Sequence, residues 1–214
     1  MASRPLIIRV SNLDVWRAAR RGDLVPYLLR QSLLGRKEAS EVMIRGTAFH
    51  AVMEHAVNLA EGGPLSDDTI FVEDGYRFQI TALIKIPGRP AFTERRFYRY
   101  WDTANGRVIL TGKVDLVVGD TVIDYKLTSQ YSFERYYESM QWKSYLTLTG
   151  LPNFTYMPCL WKEKNGLVNV HATKPTTMHA YKGMELEVEQ ETLDPADWLH
   201  SEGLWGKINL NLED

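Results

Sequence analysis

Apolar residues recur along the chain with two different periods. From Ser40 to Ala60 they return at helical spacing, with Val42, Met43, Phe49, Val52, Met53, Ala56, Val57 and Ala60 forming one wide stripe ahead of Gly62-Gly63-Pro64. The same spacing predicts helix across Ser11–Leu34, with Ser11 as N-cap and Pro26 opening a second short helix. It predicts one helix over Ser132–Thr149, closed by Gly150 and Pro152, and a short terminal helix over Asp194–Leu199 with Pro195 at its first position. Between these, β-branched and aromatic residues alternate with polar ones. The strands so predicted cover Thr69–Ile86, with a turn at Asp74-Gly75 and a stop at Pro87-Gly88, and Phe92–Trp101 with its partner from Arg107, joined at Asn105-Gly106. A last hairpin pairs Phe154–Trp161 with Leu167–Ala172 around Asn165-Gly166. This order implies an α/β single domain whose central mixed, mainly antiparallel sheet is flanked by helices. Within it, 1–39 reads as a basic helical segment, 40–161 as the core, and 162–214 as a C-terminal hairpin and short helix.

The stretch Thr111–Thr128 breaks the pattern in an informative way. Gly119-Asp120 marks a two-residue turn, so Val118 pairs with Thr121, Val117 with Val122 and Leu116 with Ile123. Strict alternation would put Val114, Leu116, Val118, Ile123 and Tyr125 on a core face. Asp115, Asp124 and Lys126 then share the other face, with the two aspartates opposite one another. Opposed like charges destabilise a hairpin, so the arrangement calls for a cation between them. If Asn105-Gly106 is the turn, Glu94 falls opposite Val117, on the same face as the aspartate pair.

Composition narrows the chemistry. The formal charge of −2 supplies no global basic field, so a nucleic-acid partner requires a local basic stripe. Arg17, Arg20, Arg21, Arg30, Arg36 and Lys37 make the N-terminal end basic; Arg20, Arg21, Arg45 and Arg96 are candidates for DNA contact. Cys159 is the only cysteine, which excludes an internal disulfide, a cysteine-ligated iron–sulfur cluster and a cysteine-rich zinc site within one chain. No apolar run reaches the roughly 20 residues of a membrane span, and the expectation is a soluble intracellular protein with no membrane partner.

On the first long helix, Gly46, His50 and Glu54 fall at i, i+4 and i+8 and share one side; a mid-helix glycine often marks a close approach by another element. Gln141 and Tyr145 are likewise one turn apart. Hard divalent cations want oxygen ligands, which Asp115, Asp124 and the Tyr125 carbonyl offer, with Lys126 beside them. That set suits metal-assisted phosphodiester hydrolysis. Trp16, Trp101, Tyr131, Tyr136, Tyr137 and Trp142 are available for stacking on bases.

Asp115…Asp124-Tyr125-Lys126 resembles the core of the PD-(D/E)xK nucleases. Gly112-Lys-Val-Asp115 resembles the GxxD motif of the RecB-like, lambda-exonuclease-like branch, Asp124-Tyr-Lys126 its DYK, Gln141-Trp-Lys-Ser-Tyr145 its QxxxY, and Gly46-Thr-Ala-Phe-His50 its upstream G-x-x-x-H. Val114 stands where the superfamily has its proline. The resemblance implies a restriction-endonuclease-like fold and a stand-alone, phage-type nuclease domain. Its metal ligands would be His50, Asp115, Asp124 and the Tyr125 carbonyl, with Glu94 as a metal or water ligand. Lys126 would be the catalytic lysine, and Gln141 and Tyr145 would contact DNA or support the site. It further implies DNA as substrate, one or two Mg2+ or Mn2+ ions, exonuclease in preference to endonuclease action in recombination, repair or phage DNA processing, and a single-strand annealing or recombination protein or an oligomer as partner. A non-catalytic DNA- or partner-binding member of the fold is the alternative.

Overall fold

The computed structural model describes residues 4–36, 38–60, 69–80 and 90–207, with the backbone alone at 58–60. The Gly62-Gly63-Pro64 and Pro87-Gly88 stops lie outside the described residues. The elements in order are β1 (Leu6–Arg9), α1 (Val10–Arg20), α2 (Pro26–Leu33), α3 (Glu41–Ala60), β2 (Ile70–Glu73), β3 (Tyr76–Ile80), β4 (Phe92–Thr103), β5 (Gly106–Val118), β6 (Thr121–Thr128), α4 (Phe133–Glu138), α5 (Met140–Thr149), β7 (Asn153–Lys164), β8 (Leu167–Ala172), β9 (Thr176–His179) and α6 (Met184–Ser201). All the strands among the described residues join one mixed sheet in the order β1-β5-β6-β7-β8-β3-β2, with β4 also on β5 and β9 also on β7. The β2–β3, β4–β5, β5–β6, β7–β8 and β7–β9 pairs are antiparallel; β1–β5, β3–β8 and β6–β7 are parallel.

Helices cover both faces. One buried cluster joins α1, α2, α5 and α6 to the sheet, through Leu13, Leu33, Leu146 and Val188 against Leu110, Val122 and Phe154. A second joins α3 to the opposite face, through Phe49, Val52, Met53 and Ala56 against Leu116, Ile123, Tyr125 and Val170. Leu116, Val118, Ile123 and Tyr125 share one face as alternation predicts, but the opposite face is also buried, as in a sheet covered on both sides. Val114 packs in the first cluster and Leu116 in the second, while Val117 and Val122, read as non-core, are buried in the first.

Other differences have local causes. β1, read as part of a helical segment, is a short strand whose partners on β5 lie a hundred residues away, with Leu6 against Val108. The N-cap of α1 is Arg9, not Ser11, and the Asn12 side chain accepts the Arg9 amide at 2.9 Å. The helix expected over Ser132–Thr149 breaks at Ser139, which is extended (ψ 140°) and caps α5. A distant residue holds the break: Asp14 of α1 accepts Ser139 Oγ at 2.6 Å and the Met140 amide at 2.7 Å. α6 begins at Met184, after Gly183 in the left-handed region (φ 91°), and runs through Pro195. The proline reads as a helix start, but burial of Val188, Thr192, Ala196 and Leu199 along the whole stripe outweighs the amide it lacks. The α3 stripe is buried from Ala48 to Val57, whereas Val42 and Met43 stand in solvent.

Candidate active site

The β5–β6 hairpin turns at Gly119-Asp120, with Gly119 at φ 57°, and the ladder follows the expected register: Val118 with Thr121, Val117 with Val122, Leu116 with Ile123. It stops one pair short of Asp115 and Asp124. There the Asp115 side chain takes over a backbone role, because its Oδ2 accepts the Tyr125 amide at 3.1 Å. The same oxygen lies 3.1 Å from His50 Nδ1, so α3 reaches the site through the residue its periodicity placed beside Gly46. Gly46 itself has nothing within 4 Å of where a Cβ would sit among the described residues, so no close approach explains it.

Glu94 arrives from β4. The β4–β5 turn uses Ala104-Asn105, one residue earlier than expected, because the positive φ falls on Gly106 (130°) and not on Asn105. The register therefore shifts by two, which preserves the face. Pairs Thr93–Leu116 and Arg95–Val114 flank Glu94, placing it opposite Asp115 instead of Val117. Glu94 adopts φ 50°, unusual for a non-glycine residue, and interrupts the ladder at that point. His50, Glu94 and Asp115 each present one ligand atom, all within 4.8 Å of one another. Lys113 pairs with Glu94 from the neighbouring strand.

Asp124 faces a different set of partners. Its Oδ1 accepts Lys126 Nζ and Gln141 Nε2, each at 3.0 Å. Its Oδ2 lies 2.7 Å from Lys126 Nζ yet makes no aligned hydrogen bond, although the residue is 1% exposed. Buried polar atoms are normally satisfied, and this oxygen's close partner is the Lys126 ammonium alone. Gln141 thus acts on Asp124, from the first turn of α5. One turn on, the Tyr145 ring stacks on Phe154 (6.1 Å, 16°) and covers Gly112; a Cβ on Gly112 would lie 2.6 Å from Tyr145 Cε1. Two motif residues read separately from the sequence are therefore one packing contact.

Burial and mutual charge set the protonation states. Burial, opposed by Lys126 and reinforced by Asp115, raises the Asp124 pKa to about 6. Burial would raise Asp115 too, but His50 and Lys126 hold it below the usual carboxylate range. Lys126 is raised above the ordinary lysine value, since Asp124 and Asp115 outweigh its burial, and His50 is raised because Asp115 outweighs its own. Burial raises Glu94 against the pull of Lys113. The lysine is therefore an ammonium at neutral pH, a donor of hydrogen bonds and positive charge.

Lys126 and Gln141 also form one wall of a cleft of about 610 Å³, whose lining includes Arg17, Arg21, Arg135 and Tyr136. Of Arg20, Arg21, Arg45 and Arg96, the candidates for DNA contact, only Arg21 lies here, paired with Asp23 at 2.8 Å. Arg20 is bound by Glu191 and Asp194 of α6. Arg45 is buried, 4.2 Å from the Trp161 ring centroid and paired with Glu41 and Glu163. Arg96 is half-buried on β4 opposite Lys113. Arg135 went unremarked, and Arg17 was counted only as part of a basic end; its i, i+4 spacing to Arg21 was the available signal.

A hard divalent cation fits this donor set: one imidazole, several carboxylates and an unaligned buried carboxylate oxygen. No curated protein sequence matches the chain. Among solved structures, an alkaline exonuclease (LHK-Exo) from Laribacter hongkongensis is 17% identical over 93% of this chain and 90% of its own, with a TM-score of 0.51. A phage related exonuclease from Haemophilus somnus 129PT is 11% identical over 93% and 97%, with a TM-score of 0.53. At such identities the likeness is one of fold. The sequence model of the PD-(D/E)XK nuclease superfamily matches residues 25–200, most of the chain, with His50, Glu94, Asp115, Asp124, Lys126 and Gln141 inside the match, and the chain belongs to that superfamily.

Proposed function

We propose that this protein is a metal-dependent DNA nuclease that hydrolyses phosphodiester bonds, acting as an exonuclease. The observation that carries the reading is the meeting of His50, Glu94 and Asp115 within 4.8 Å beside the Lys126–Asp124–Gln141 chain. His50, Asp115 and Asp124 would hold Mg2+ or Mn2+, with Glu94 and the Tyr125 carbonyl as further ligands. The bound ion supplies Lewis acidity to the phosphoryl oxygens and acidity to a coordinated water.

The chain's own residues do the rest. Lys126, kept charged by Asp124 and Asp115, donates to the phosphate and stabilises negative charge as it builds on the oxygens; in that state it is not a proton acceptor. Gln141 holds the Asp124 carboxylate in place. Glu94, whose pKa burial raises, would accept a proton from an attacking water. Arg17, Arg21 and Arg135 offer cationic contacts to neighbouring phosphates along the cleft. The preference for exonuclease draws on the family resemblance and on the descriptions of the two similar structures.

The test is incubation with linear, circular and single-stranded DNA in Mg2+, Mn2+ or EDTA. Degradation of linear but not circular DNA, abolished by EDTA and by Lys126→Ala, is expected. Cleavage of circles would make the enzyme an endonuclease. Binding without cleavage under all conditions would make it a non-catalytic member of the fold.

A further inference from the structure

The aromatic side chains available for stacking are not equivalent in the structure. Trp16 and Trp142 are buried, and Tyr131 and Tyr136 stack on each other, half-buried, at 5.1 Å. Tyr137 is different. It is 53% exposed and stacks at 5.5 Å and 27° on Phe133, itself 46% exposed and not among the candidates from sequence. An exposed phenyl ring makes little contribution to folding, since the gain from an aromatic side chain comes from its removal from water. Both rings sit on α4, whose Arg135, Tyr136 and Glu138 line the cationic cleft beside Lys126. Arg17 Nη1 ties that wall to α1 by donating to the Glu138 carbonyl at 2.7 Å. The ring pair is therefore about half a helical turn round α4 from a cleft whose cations complement a phosphate backbone.

Bases within a duplex stack on each other and offer no free face; unpaired bases do, and aromatic platforms beside a basic groove take them without regard to sequence. We propose that Phe133 and Tyr137 form a stacking platform for unpaired bases of a DNA strand whose phosphates follow the cleft of Arg17, Arg21 and Arg135, so that the enzyme takes single-stranded or frayed ends. This rests on the nuclease reading only for the identity of the cleft's occupant.

The test is binding, with no cleavage required. Fluorescence anisotropy in EDTA would compare a labelled single strand of about 12 nucleotides, within the span such grooves cover, with a strand of equal length made of abasic sites. Phe133→Ala/Tyr137→Ala should weaken binding of the base-bearing strand by roughly 5- to 150-fold for each stacked base lost, leave blunt duplex binding unchanged, and leave the thermal midpoint close to the parent's. Phe133→Ala alone, which spares the Tyr137–Trp142 contact, should give part of the loss. The parent should bind the abasic strand as weakly as the double variant binds the base-bearing one. Equal affinity of parent and double variant for the base-bearing strand, in a parent that degrades linear DNA, overturns this inference and leaves the nuclease reading intact. Base-dependent binding through the pair in a protein that cleaves nothing supports the platform and overturns the nuclease reading.

Discussion

Replacing Gly112 by alanine tests why the site's supporting residues have the identities they do. Gly112 carries no positive φ, so its requirement is one of space. An added Cβ would sit 2.6 Å from Tyr145 Cε1 and 2.7 Å from Val10 Cγ2. Both distances fall about 1 Å short of the carbon–carbon contact optimum. Neither neighbour has room to yield, for Tyr145 and Val10 are buried at 7% and 3% exposure, and Tyr145 is stacked on Phe154. Overpacking of this kind costs about 1–3 kcal/mol. The alanine recovers about 0.4–1 kcal/mol by restricting the unfolded chain. A net loss centred on about 1.3 kcal/mol follows (range about 0–2.6), a drop of roughly 3–5 °C in thermal midpoint for a chain of this size. Activity should suffer more than stability. Relief of the clash displaces Tyr145 and with it α5, which presents Gln141 to Asp124. A misplacement of about 1 Å at a catalytic group costs on the order of 100-fold in rate. Thermal denaturation and single-turnover cleavage measure the two effects. In a Val10→Ala/Tyr145→Ala background the same substitution should cost nothing or stabilise by filling space. An undiminished loss in that background, or an unchanged midpoint in the parent, would refute the packing argument.

Three further outcomes follow from the same contacts. Asp14→Ala removes the acceptor of two hydrogen bonds at the α4–α5 break and should cost about 1.5–3 kcal/mol in urea unfolding; an unchanged midpoint would mean the break holds itself. Burial raises the Asp124 pKa to about 6, so at low pH a proton competes with a cation for its carboxylate; the rise in thermal midpoint produced by Mn2+ should shrink as pH falls through about 6, and a constant rise from pH 5 to 8 would exclude Asp124 as a ligand. Cys159 is fully buried and burial pushes its thiol up to about 12; at pH 8 it should resist thiol reagents until the protein unfolds, and fast labelling of the native protein would contradict that burial.

Local chemistry made much of the sheet readable. Asp74-Gly75 and Asn165-Gly166 are turns because these residues accept positive φ at little cost, as observed at 46°, 78°, 55° and 71°. What escaped the sequence was set by distant partners. β1 is a strand only because β5 is there to pair with it, and α4 and α5 separate at Ser139 because Asp14 reaches in from α1. The hairpin register between β5 and β6 was legible, and so was the shared face of Leu116, Val118, Ile123 and Tyr125; that the opposite face is buried too, with Val117 and Val122, was not, because a sheet covered on both sides shows no polar face. Within the site, residue types pointed to Asp115, Asp124 and Lys126, and the family resemblance added His50 and Glu94. Their orientations did not follow from spacing: the two aspartates expected to face each other instead turn to different partners, Asp115 to His50 and Asp124 to Lys126 and Gln141. Arg20 and Arg45 illustrate the limit of reading cations from sequence, as both are occupied by carboxylates of the protein itself.

The central claim is that these side chains hold a divalent cation for hydrolysis. Anomalous diffraction from crystals grown with Mn2+ tests it most directly. The account predicts a manganese peak bound by His50, Asp115 and Asp124, lost in Asp115→Asn. Density for manganese elsewhere, with this site empty at saturating Mn2+, would contradict it.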